Sequence, residues 1–137
     1  MYVDYIEVLQ TNIQFVNAGN FYNITGLSID NYNNVGVTSD NSSFNITHSG
    51  IYEIDTSVSF YGHINSEINC RLFKNYVTEL DIEFYRGFGS SITIGSAGAS
   101  GIKGFVAGDI IGWKCNSDIP NGWMSVRSGH YSIKRLN

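Results

Sequence analysis

The chain has 137 residues, of which 42% are hydrophobic and 15% charged, with a single proline. That is enough apolar material for one core without metal or disulfide support, and it excludes a disordered polypeptide. The net charge of -4 excludes the basic surface that nucleic acid or anionic lipid requires, so no nucleic-acid partner is expected. No apolar run approaches the ~18 residues needed to cross a bilayer, so no membrane insertion is expected.

Aromatic residues at 14% and 15 glycines, among abundant Asn, Ser and Thr, are the profile of an all-β chain with many turns. The opening stretch, Met1 to Phe15, lacks the basic start of a secretory leader. Asp4 and Glu7 also interrupt any apolar run, so the expectation is a chain made in a cytoplasm that leaves, if at all, by another route. Residues 1–11, with Tyr2, Val3, Tyr5, Ile6 and Val8, read either as an N-terminal anchor or as a first strand. Asn12 to Val16 and Phe21 to Thr25 follow as short strands around the turn Asn17-Ala-Gly-Asn20. Asp30 to Asn34 reads as a loop, because Asn and Asp satisfy turn backbones. Val35 to Val37 and Ser42 to Thr47 are short strands, and His48-Ser-Gly50 is a turn.

The next segment carries the clearest signal. Tyr52, Ile54, Thr56, Val58 and Phe60 alternate with Glu53, Asp55, Ser57 and Ser59, the period of a strand with one packed and one wet face. Ile68 to Phe73 alternates again, Lys74-Asn75 reads as a turn, and Tyr76 to Tyr85 continues as a strand. Ser91 to Val106 is a strand interrupted by Gly95, Gly98, Gly101 and Gly104. Glycine at every third residue is also the collagen pattern, but that needs long tracts and abundant proline. In a strand, a spacing of three places these glycines on alternating faces. They then read either as an irregular strand or as a place where another backbone comes close, such as a subunit contact. Ala107-Gly-Asp109 is a sharp turn, Ile110 to Lys114 a strand, and Trp123 to Leu136 one or two closing strands. No segment keeps a 3.6-residue period, so almost no helix is expected, and residues 1–137 form one domain.

Cys70 and Cys115 each fall inside a strand. Buried free thiols acting as small hydrophobes are the expectation, with a cross-strand disulfide the alternative if the two strands are neighbours. Asn23, Asn41 and Asn45 open glycosylation triplets, expected to be unused without a secretory leader. His48, His63 and His130 belong to no catalytic motif, and Asp81 with Glu83 reads as a wet strand face rather than a glycosidase pair. Asp30, Asp40 and Asp118 lack dense metal-ligand spacing. No enzyme activity, cofactor or metal is expected.

The Phe-x5-Gly-x-Tyr spacing of Phe44, Gly50 and Tyr52 resembles the core signature of the C1q/tumour-necrosis-factor-like jelly-roll family. Leu72-Phe-Lys-Asn75, Ala107-Gly-Asp-Ile-Ile-Gly-Trp113 and Ser128 to Leu136 resemble its later segments in the same order. Ile54 and Thr56 stand where the family has aromatics, and no counterpart is placed before Phe44. The resemblance implies a two-sheet antiparallel sandwich and a compact homotrimer about an apolar threefold axis. Gly95, Gly98, Gly101, Gly104, Phe60 and Tyr131 are the expected contacts of that trimer. A short chain of this composition looks most like the bacteriophage members, a capsid decoration (head fibre) or fibre head located on the virion. Other virion proteins and a host surface glycan or protein would be its partners. The alternatives are a secreted, cell-surface or spore-surface member of the family, or a small carbohydrate-active enzyme. Phe84, Tyr85, Arg86, Phe88 and Trp123 are the expected binding residues, because aromatic and Arg side chains dominate binding hot spots. The bland alternative is that these rings pack in the core or between subunits.

Overall fold

A computed structural model describes residues 3–8, 11–25, 27–31, 35–37 and 42–137. Among them are twelve strands and no helix, so no helix is long and apolar enough to cross a membrane. The strands are β1 (Val3–Val8), β2 (Thr11–Phe15), β3 (Tyr22–Asn23), β4 (Leu27–Asn31), β5 (Val35–Val37) and β6 (Phe44–Ile46). The longer ones follow: β7 (Gly50–Gly62), β8 (Glu67–Lys74), β9 (Thr78–Gly87), β10 (Ile94–Phe105), β11 (Ile110–Ser117) and β12 (Gly122–Arg135).

They form two antiparallel sheets. The first runs β10-β7-β12-β1-β4, with β2 also paired to β12; the second runs β5-β6-β11-β8-β9, with β3 also paired to β11. Neighbours distant in sequence pair in both sheets, as in a jelly roll. Alternation decides what each sheet buries. Tyr52, Ile54, Val58 and Phe60 of β7 face inward and are fully buried, while Glu53 and Asp55 between them are exposed. Trp113, Ile111 and Cys115 of β11, with Ile68, Cys70 and Leu72 of β8, meet them from the second sheet.

The signature residues have physical reasons. Phe44 packs edge-on against Tyr131 at 5.3 Å between ring centres. Tyr52 donates its hydroxyl proton to the His48 carbonyl at 2.5 Å. A side chain on Gly50 would fall 2.7 Å from Nε of Arg135, whose guanidinium donates to the Ser49 carbonyl.

Several expectations change. Val3–Val8 is a strand, β1, paired with β12 and β4, which selects the first-strand reading; Tyr2 lies outside the described residues. Asp30 and Asn31 belong to β4 rather than to a loop, and residues 32–34 lie outside the described set. The closing segment is one strand, with a register shift between Val126 and Ser128. Tyr76 does not open a strand. It follows Asn75 in the turn, with φ of 68° after 53°, and β9 begins at Thr78.

The cysteines are not free. Cys70 and Cys115 stand directly opposite each other on β8 and β11, their Cα atoms 4.1 Å apart, and are joined as a disulfide. Spacing of 45 residues in sequence hid an adjacency that only the pairing of these strands creates.

Candidate functional site

The residues expected to bind a ligand are not gathered into one patch. Phe84 and Phe88 are core residues at 6% and 8% exposure; both rings pack against Phe60. Their binding role is therefore corrected: β9 points every second residue inward, and Phe84 shares that parity with Ile82. Arg86 is exposed at the margin, its Nε 2.6 Å from where a Gly95 side chain would begin. Tyr85 is 53% exposed on the outer face of the second sheet. Trp123 is half-buried on the outer face of the first sheet, its ring stacked on that of His63 at 6.0 Å and 18°.

The expected trimer contacts divide in the same way. Phe60 and Tyr131 are 0% exposed within a single chain, so neither can touch a second subunit. Their outward neighbours Tyr61 and His130 are the ones at the surface, because a shift of one residue changes the face. Gly95 and Gly101 face inward, where the close approach comes from this chain's own β9: a Gly101 side chain would meet Ile82 at 2.7 Å. Gly98 and Gly104 face outward and are exposed, as the alternation required.

The outer face of the first sheet has a floor of mostly small side chains. Ser96, Gly98 and Ser100 of β10 lie beside Ser59, Ser57 and Asp55 of β7 in register. His130 of β12 pairs with Ser57, its Nδ1 3.1 Å from the Ser57 hydroxyl. Along the margin stand large apolar side chains: Ile94 is 52% exposed, Ile102 59%, Val106 61% and, across from Gly104, Ile51 41%. At one end the Arg127 guanidinium lies 5.9 Å over Tyr61. Ile94 and Ile102 share the even-numbered, outward parity of Gly98, and that parity was the only signal of their exposure in the sequence.

The outer face of the second sheet is built around Arg71. Its Nη1 donates to Glu79 at 2.5 Å, its Nη2 donates to the Tyr85 hydroxyl at 3.2 Å, and its Nε lies 2.7 Å from Glu83. The guanidinium also lies 5.2 Å over the Phe21 ring. The bond to Tyr85, reinforced by the two carboxylates against some desolvation, raises Arg71 above its ordinary value.

Neither the Asp81 and Glu83 carboxylates nor the turn histidines come together as a reactive set. Asp81 pairs with Lys103 at 3.5 Å and Glu83 with Arg71, so the two carboxylates do not converge on one point. His48 bonds Thr47 in a turn, whereas His63 is half-buried against Trp123. Asp118 accepts the Glu67 backbone N–H, and Asp40 lies outside the described residues. Among the described residues no three His, Cys, Asp or Glu side chains are grouped to hold a metal.

No family model matches the sequence, and no curated protein matches it. Solved structures do. The Eiger TNF of S. frugiperda superposes with a TM-score of 0.74 at 8% identity, covering 98% of this chain and 92% of that one. Murine APRIL at pH 5.0 gives 0.67 at 14% identity, covering 97% and 99%. The globular domain of zebrafish complement 1qA protein gives 0.62 at 11% identity, covering 98% and 97%. The chain therefore has the TNF/C1q-like jelly-roll fold.

Proposed function

We propose that this chain is a non-enzymatic subunit of a homotrimer, carried on a bacteriophage virion as a capsid decoration or as the head of a fibre that meets the host surface. The observation that carries the assembly is the group Ile51, Ile102 and Val106, exposed around Gly104 at one end of the first sheet's outer face. A contiguous exposed apolar patch on a folded domain marks an interaction site, and the small residues Ser96, Gly98 and Ser100 further along β10 leave room for another copy to approach. The TNF and complement structures share the fold, which supports the trimer by analogy of form.

Packing the first sheet between subunits leaves the Arg71–Tyr85 face outward on every copy. Presented three times, a weak contact to a host glycan or protein gains by multivalency, ~10²–10⁴-fold when sites engage together. The virion setting rests on the style of the chain. The Cys70–Cys115 disulfide suits any protein that works outside a reducing cytoplasm, and it favours equally the second reading, a secreted or cell-surface ligand.

Sedimentation at micromolar concentration should give a trimer, and Ile102→Lys should give a monomer whose circular dichroism stays native. A wild-type monomer would remove the assembly. Electron microscopy of the intact particle, with this protein labelled, should locate it on the capsid or fibre; a particle lacking it would leave only the second reading.

A further inference from the structure

The disulfide sits in an unusual place relative to the smallest strand of the fold. Cys70 and Cys115 are both 0% exposed, at the centre of the second sheet between the two layers. One edge of β11 is covered at Ile110 and Ile111 by β6, and at Lys114 and Cys115 by β3, which is two residues long. Cys115 is thus paired on one side with Cys70 and on the other with Tyr22.

The segment 17–25 that contains β3 is a strap rather than an ordinary strand. It is tied to β11 by few bonds. Gly19 N–H donates to the Ser117 carbonyl at 2.9 Å, Ile24 N–H donates to the Trp113 carbonyl at 3.1 Å, and Asn116 Nδ2 donates to the Gly19 carbonyl at 3.3 Å. Its rings pin it on both sides: Phe21 packs edge-on against Phe73 at 5.1 Å under the Arg71 guanidinium, and Tyr22 packs against Phe15 at 5.9 Å. Ile24, two residues on, is driven fully into the core. Lifting this strap exposes the β11 edge at Cys115 and withdraws Ile24, while the β7–β12 and β8–β9 pairings stay whole. Short, sparsely bonded segments open locally far more often than the whole domain unfolds.

We propose that the Cys70–Cys115 disulfide is a shielded redox lock whose access is gated by the strap 17–25. With the strap down, no thiolate reaches either sulfur. With it lifted, the thiolate of a dithiol reductant attacks Sγ of one cysteine, forming a mixed disulfide as the protein S–S bond breaks. The second thiolate of the reductant then displaces the remaining sulfur. The reductant ends as its disulfide, having given two electrons, and both cysteines take up a proton. Run in reverse, a small-molecule disulfide oxidises the two thiols after the chain leaves a reducing compartment, and closing the strap preserves the bond. This inference is independent of the trimer and of the virion.

The test is native-state reduction of the full chain by dithiothreitol, with released thiols alkylated and counted by mass. Global stability is measured in parallel by denaturant. Phe21→Ala and Asn116→Ala remove two separate ties of the strap, and Val77→Ala, at an exposed hairpin tip, serves as control. The expected result is slow release in the wild type and ~tenfold faster release in both strap variants, beyond what their change in global stability accounts for, with the control unchanged. Rates that simply follow global stability would overturn the gate. So would wild-type release as fast as from unfolded chain, or free thiols in the air-exposed protein.

Discussion

The phenolic oxygen of Tyr131, on β12 of the first sheet, accepts the backbone N–H of Trp113, on β11 of the second, at 3.2 Å. Their rings also stack at 6.2 Å. This pair ties the two layers through the middle of the core, and complete burial makes its state of ionisation matter. Desolvation pushes the Tyr131 hydroxyl well above its ordinary value, only partly opposed by the bond from Trp113.

An alkaline limit to stability follows. The folded state holds the proton more tightly than the unfolded chain, whose tyrosines ionise near pH ~10. The contribution is whole below that value and is lost as pH rises above it, because only the unfolded state gives up the proton. Phenolate absorbance of Tyr131 should therefore appear together with unfolding, and Tyr131→Phe should flatten the alkaline fall. Ionisation of Tyr131 in a chain whose circular dichroism remains native would contradict this.

Gly62 and Phe88 give a second test. A side chain on Gly62 would start inside the space that the Phe88 ring fills, and that ring is also edge-on to Phe60 at 5.5 Å. Gly62→Ala forces the ring out of place and should cost ~1–3 kcal/mol, the usual range for overpacking. Urea unfolding measures it; a loss below ~0.5 kcal/mol would mean that the loop after Phe88 yields freely.

The turn after β8 should respond in the opposite direction. Tyr76 holds a left-handed φ of 68°, a conformation that costs an L-residue ~1–2 kcal/mol and glycine nothing. Glycine gives back part of that advantage through the entropy of the unfolded chain. Tyr76→Gly should thus stabilise the protein by ~0.5–1 kcal/mol in the same urea experiment, since the bond to Tyr76 from Lys114 uses the backbone carbonyl.

Two outward glycines of β10 separate folding from assembly. A side chain on Gly98 would lie 2.5 Å from the Thr56 carbonyl oxygen, so Gly98→Leu should lower the melting temperature whatever the oligomer does. Gly104 has open space around it beside Ile51. Gly104→Leu should leave stability within ~0.5 kcal/mol yet weaken the proposed trimer in sedimentation. A Gly104→Leu protein that assembles as the wild type would clear this part of the face of any subunit contact.

How far the chain could be read from its residues depended on range. The period-two run from Tyr52 to Phe60 placed β7 and its buried face, because strand alternation is a local property that every residue in the run reports. Tyr131 shared that inward parity, yet it was expected at a subunit contact. Parity says which residues share a face but not whether the other layer covers that face. The same limit misplaced Phe84 and Phe88. It also hid Ile94 and Ile102, whose exposure is decided by the absence of a second layer over β10.

What the sequence by itself determined, then, is an all-β chain of alternating strands with its turns at Gly, Asn and Asp, since those preferences act within a few residues. Only the tertiary structure decided that Cys70 lies opposite Cys115, that Arg71 gathers Glu79, Glu83 and Tyr85, and that Ile51, Ile94 and Ile102 are left in water. Each depends on which strands become neighbours, and strand order is set by closing two whole sheets over one core, a condition no short stretch of residues can express.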